Sequence, residues 1–108
     1  MLRQVTRTLV VSFVAISATG VGFAQGNGAT VFEVKCQMCH GADGLGQTPV
    51  GKSMGLKSLT ADDTVKKSDA DLIALTKTGK DKMAGFANKL SDEEIKDVVA
   101  YIRTLQKK

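Results

Sequence analysis

Two cysteines and one histidine are the residues of this chain best suited to hold a metal or a prosthetic group, and all three fall in "CQMCHG", residues 36–41. They are the only cysteines and the only histidine among 108 residues. On a helix, residues three and four apart share a face. Cys36, Cys39 and His40 therefore converge on one patch if the segment is helical. A structural zinc site needs four ligands, and the chain has neither a second cysteine pair nor a second histidine. A thioredoxin-like redox pair normally follows a strand in a βαβ pattern, and no strand-like run leads into Cys36. A simple disulfide of an exported chain is a third reading. Covalent haem attachment through C-x-x-C-H uses two thioethers and an axial histidine. Only this fourth reading explains why the histidine directly follows the second cysteine.

Haem iron held by His40 on one face leaves the opposite face to be filled. The sequence offers no other histidine, so the choices are a methionine, a lysine, water or nothing. Met38 sits between the cysteines, too constrained to reach around the ring. Met54 and Met83 remain. Met83 lies in "TGKDKMAGFANKL", an irregular stretch between two helical patterns, where a loop can direct one side chain at the iron. Phe86 beside it can shield the ring edge. Met54 lies in an earlier loop on the side of the histidine and reads as a flexible apolar filler. The reading favours Met83.

Helices have to position these groups. A first helix is expected from near Ala29 into Cys36, stopping near Gly41, with Phe32 four residues before Cys36 and on its face. "GADGLGQTPVGKSMGLKSL" is glycine-rich and holds Pro49, the only proline. It reads as an ordered Ω-like loop, because Leu45, Val50, Met54, Leu56 and Leu59 need something apolar to pack on. A short helical turn is expected over 60–66. "SDADLIALTKTG" reads as a helix capped by Ser68 and stopped by Gly79, with Leu72, Ile73, Leu75 and Thr76 as its buried stripe. The last helix is the clearest. Ser91 and Glu94 form a capping box, and Ile95, Val98, Val99, Ile102 and Leu105 recur at three and four. No segment alternates with period two. The expected class is all-α, without internal repeats.

Residues 1–24 read as a secretory signal. Arg3 and Arg7 precede a run from Leu9 to Ala24 that carries no charge, and cleavage is expected before Gln25. The alternative is an uncleaved N-terminal segment that tethers the chain to a membrane. Residues 25–108 form one small domain, marginal without a staple, metal or cofactor. The full chain has 15 Lys and Arg against 11 Asp and Glu. Cleavage removes two arginines and no acid, so the basic excess shrinks. No Lys/Arg cluster is interleaved with aromatics, and no nucleic-acid partner is expected.

Over residues 28–105 the chain resembles the class I c-type cytochromes, in particular small bacterial monohaem ones. The resemblance rests on Gly28, Phe32, Cys36, Cys39 and His40 at the family's spacing. In the last helix, Val98 and Tyr101 of "VVAY" match the aliphatic and aromatic residues that pack on that Gly and Phe. The resemblance implies a cytochrome c fold of three to five short helices around one covalently bound haem c, with the N- and C-terminal helices crossing. It implies Met83 as the late-loop ligand, although Ala84 stands where the family often has proline. It also implies that the Pro49 carbonyl accepts a hydrogen bond from the His40 ring and fixes its orientation.

The implied function is that of a soluble single-electron carrier, not an enzyme, working in the periplasm between redox proteins such as those of a respiratory chain. The alternative is a haem enzyme or ligand-binding protein of peroxidase type, with a labile sixth site. Lys35, Lys52, Lys57, Lys80, Lys82 and Lys89 fall in segments that should border the haem. Partners with acidic docking faces are therefore expected. No small-molecule substrate is expected, and the chain should be a monomer.

Overall fold

The computed structural model describes residues 10–12 and 26–107. The expected leader lies outside the described residues except for 10–12, and its cleavage point lies outside them altogether. The described chain forms α1 (Gly28–Lys35), α2 (Gln37–His40), α3 (Pro49–Met54), α4 (Asp62–Val65), α5 (Asp69–Thr78) and α6 (Asp92–Gln106). A short hairpin of β1 (Gly79–Lys80) and β2 (Met83–Ala84) joins α5 to the segment before α6.

The capping box of α6 forms as its sequence requires. Ser91 Oγ accepts from the Glu94 amide at 3.1 Å, and Glu94 Oε1 accepts from the Ser91 amide at 3.0 Å. The apolar stripe that follows is driven inward: Ile95, Val98, Val99 and Leu105 are all buried. Ser68 caps α5 by accepting from the Asp71 amide.

The first and last helices cross at a point where the chain carries almost no side chain. A Cβ at Gly28 would overlap the Asp97 carbonyl oxygen. One turn on, Phe32 is 1% exposed and packs with Val98, which is fully buried. Val31, Leu90, Ile95 and Leu105 complete this core.

Two segments differ from their sequence reading. The glycine-rich stretch is not all loop, because α3 sits inside it. Thr48 caps that helix, Pro49 takes its first position and Gly55 ends it in the left-handed region at φ +66°. These are ordinary start and stop signals, hidden by the surrounding glycines. The stretch before Met83 is not irregular either. Gly79 pairs with Ala84 and Lys80 with Met83 across a two-residue turn, Asp81 adopting φ +52°. Two-residue strands are too short to show an alternating pattern.

Candidate functional site

The segment that carries the chemistry is a broken helix. Cys36, still in the right-handed region but widened to φ −117°, ends α1 and starts α2. The Cys36 carbonyl still accepts from the His40 amide at 3.0 Å, so the two residues stay one turn apart. Gly41, at φ +80°, then turns the chain away. The next loop is stitched back onto this segment. Gly46 donates to the His40 carbonyl at 2.8 Å, and Thr48 Oγ1 donates to the Cys39 carbonyl at 2.9 Å. The same Thr48 oxygen accepts from the Gly51 amide at 2.9 Å. Gly51 lies so close to the Cys39 carbonyl that a Cβ would overlap it. The sequence reading missed Thr48 and Gly51. The signal was the Thr-Pro pair, which marks a helix start.

Phe32, Cys36 and His40 open onto a cavity of about 560 Å³. Leu72, Leu75 and Thr76 line it from α5, and Val98 and Ile102 from α6. Leu75, expected in a buried stripe, is half-buried because it faces this space. Leu56 and Leu59 also line it, so the loop's apolar residues do pack on something apolar. Both Met54 and Met83 are in the wall, whereas Cys39 stands outside it in α2. The rim is charged, with Lys57, Lys67, Lys80 and Lys82 interleaved with Asp63 and Asp81. Lys57 pairs with Asp63 at 3.0 Å and holds that carboxyl below its usual range.

Two expected site residues lie elsewhere. Pro49 occupies the exposed start of α3 and does not line the cavity, and Nδ1 of His40 has no hydrogen-bond partner. The bond from His40 to the Pro49 carbonyl is therefore not formed; the loop is fastened through Thr48 and Cys39 instead. Phe86 packs against the core with Lys89 above its ring at 5.5 Å, and it does not line the cavity.

The cavity fits a haem on its own chemistry. Its volume is in the range of cofactor sites, about 300–1,000 Å³, and its walls are mainly apolar. The unpartnered buried nitrogen of His40 costs about 1–3 kcal/mol if nothing satisfies it nearby. Burial lowers the His40 pKa, so the ring is in the neutral form that can donate a lone pair to a metal. Burial, reinforced by Cys39, pushes the Cys36 thiol up to about 11. A buried thiol kept uncharged is converted to a thioether, equally uncharged, without burying a charge. Both cysteines are free thiols in this fold. Among the described residues, no cluster of three or more His, Cys, Asp or Glu could hold a bare metal ion.

Comparison with known proteins agrees. The family model described as cytochrome C oxidase, cbb3-type, subunit III matches residues 24–102. The chain belongs to the class I c-type cytochromes. It is 32% identical to cytochrome c6 of Thermostichus vulcanus over 90 residues, covering 83% of this chain and 78% of that one. With cytochrome c6 of Leptolyngbya boryana it shares 36% over 77 residues, covering 69% and 85%. Among solved structures it is similar to the KustC0563 c-type cytochrome, with a TM-score of 0.67 at 30% identity over 73% of this chain and 96% of that one. Cytochrome c6 from the diatom Phaeodactylum tricornutum gives 0.59 at 26% identity, over 76% and 93%. As a c-type cytochrome the chain carries one covalently bound haem c, and it is an electron-transfer protein rather than an enzyme. The cytochrome c fold with crossing terminal helices is the one expected from the sequence, with six helices in place of three to five and a two-strand hairpin added. No helix of the described residues is long and apolar enough to cross a membrane.

Proposed function

We propose that this cytochrome is a monomeric single-electron carrier of the periplasm, exported by residues 1–24 and cleaved before Gln25, that shuttles between redox proteins. One observation carries the reading: Cys36, His40 and Met83 share the wall of one apolar cavity. Cys36 and Cys39 would hold the haem by thioethers, and His40 and Met83 would supply the nitrogen and sulfur donors to its iron. When bound, the haem iron supplies the one-electron couple.

The residues of the chain do the rest. His40 and Met83 together leave no open position for a substrate, which separates a carrier from a peroxidase-like enzyme. The Met83 thioether favours the reduced state, and Phe32, Leu72, Val98 and Ile102 keep water from the site. Lys80 and Lys82, next to Met83 in the hairpin, present positive charge where a partner with an acidic face would approach. Phe86 supports this arrangement from outside the cavity, through its packing on the core.

Absorption spectra of the purified protein test the assignment. Met83→Ala should abolish the weak red band of methionine-bound ferric haem and let added imidazole bind, whereas Met54→Ala should leave the band in place. The reverse result would move the ligand to Met54, and no covalent haem in the wild type would remove the reading altogether.

A further inference from the structure

One wall of the cavity has no business being ordered by itself. Helix α4 has four residues, far below the length at which an isolated helix is stable in water. Yet residues 59–69, which contain it, place Leu59, Asp63, Thr64 and Lys67 on the cavity. The Leu59 amide is bonded to the Gly44 carbonyl at 2.8 Å and Lys57 pairs with Asp63, but the far end of the segment is held by a pair of side chains from the last turns of α6. Arg103 donates from one terminal nitrogen to the Val65 carbonyl at 3.2 Å and from the other to the Lys67 carbonyl. Its Nε donates to Asp69 Oδ1 at 2.8 Å. Gln106 Oε1 accepts from the guanidinium at 2.9 Å, and Gln106 Nε2 donates to the Leu59 carbonyl at 2.9 Å.

The guanidinium thus takes carbonyls that the end of α4 leaves without helical partners and ties them to the first residue of α5. A lysine could not do this, because only the planar fork aims several donors at once. The Asp69 contact adds little alone, since that carboxylate is largely exposed. The carbonyl contacts carry the function: the Arg103 side chain is only 22% exposed, and its bond to the Lys67 carbonyl is partly buried.

We propose that Arg103, assisted by Gln106, is a positioning residue for the haem: it fixes residues 59–69 as a closed wall and thereby sets the reduction potential. The proposal rests on the haem assignment above. A wall that opens admits water, and a more polar site favours the ferric state, so loosening the clasp lowers the midpoint potential. Arg103 touches neither the iron ligands nor the cavity; it acts through the backbone it holds.

The test uses haem-loaded wild type, Arg103→Leu, Arg103→Lys and Gln106→Leu, with three readouts: midpoint potential, amide exchange and thermal stability. In Arg103→Leu the amides of residues 60–68 should exchange about tenfold faster or more, those of α1 should be unchanged, and the potential should fall. Arg103→Lys should recover part of both effects. If Arg103→Leu does not fold, Gln106→Leu, which frees the Leu59 carbonyl and removes the Arg103–Gln106 bond but leaves the Arg103 carbonyl contacts, should show the same two changes in smaller measure. Lower thermal stability with an unmoved potential would make Arg103 a strut and overturn the proposal, as would unchanged exchange over 60–68. Covalent haem together with a potential indifferent to Arg103 sinks the clasp alone, whereas a wild type without covalent haem sinks the assignment of the cavity.

Discussion

The rings of Phe32 and Tyr101 meet with their centroids 5.3 Å apart and their planes inclined at 53°. This tilted contact is favourable for aromatic quadrupoles, and it lies one turn from the glycine that lets α1 and α6 touch. Phe32 has a second task, because its other side lines the haem cavity. The helix crossing and the cofactor site therefore share a residue.

Phe32→Ala should accordingly destabilise the haem-loaded protein by about 3–5 kcal/mol, the usual range for a buried phenylalanine. Tyr101→Leu keeps most of the apolar volume and should lose only about 0.5–1.5 kcal/mol. Denaturant unfolding measures both. Equal losses would mean that the crossing is not anchored on Phe32.

Folding should require haem. Without haem the mainly apolar walls of a cavity of about 560 Å³ face water, and so small a domain has little other core to offset that exposure. Circular dichroism of the chain with Cys36→Ala and Cys39→Ala should show little helix and no cooperative melt. A helix-rich, cooperatively melting apo-protein would contradict this.

Thr48→Val keeps the shape of the side chain and removes its bonds to Cys39 and Gly51. It should lower stability by about 1–3 kcal/mol, the range for a lost cap and an unsatisfied carbonyl. Thr48→Ser, which retains the hydroxyl, should stay close to wild type in a thermal melt.

The lysine rim should show itself in salt dependence. Electron transfer with an acidic redox partner should slow as ionic strength rises, because the Debye length is only about 10 Å at 0.1 M. Lys82 forms no ion pair among the described residues, and Lys82→Glu should flatten the slope of log rate against ionic strength. A rate that is flat or rises with salt in the wild type would leave these lysines a merely solubilising role.

The fold was legible wherever a local signal was long or chemically unusual. The α6 stripe spans about three turns, and Cys36, Cys39 and His40 have few uses at that spacing. The crossing of Gly28 and Phe32 with Val98 and Tyr101 came from resemblance, since nothing local says that two distant helices touch. What stayed hidden was short or relayed. Helix α3 has six residues and the hairpin strands two each, below the length at which periodicity speaks. Pro49 could be read as a partner for His40 because sequence gives identity without direction; the ring nitrogen faces no carbonyl. Arg103 carries no sequence signal, for its partners are main-chain carbonyls, which every residue has.

The close approach of Gly28 to Asp97 also bears on the order of events as the chain emerges. The helix that carries Cys36 comes early and the helix that covers it comes last, with nearly the whole domain between them. Contacts so far apart in sequence form late and slowly. Until α6 arrives, Cys36 lacks the core against which it packs, and both thiols stand on an unlatched stretch. Once the glycine seats against the final helix, that interval closes.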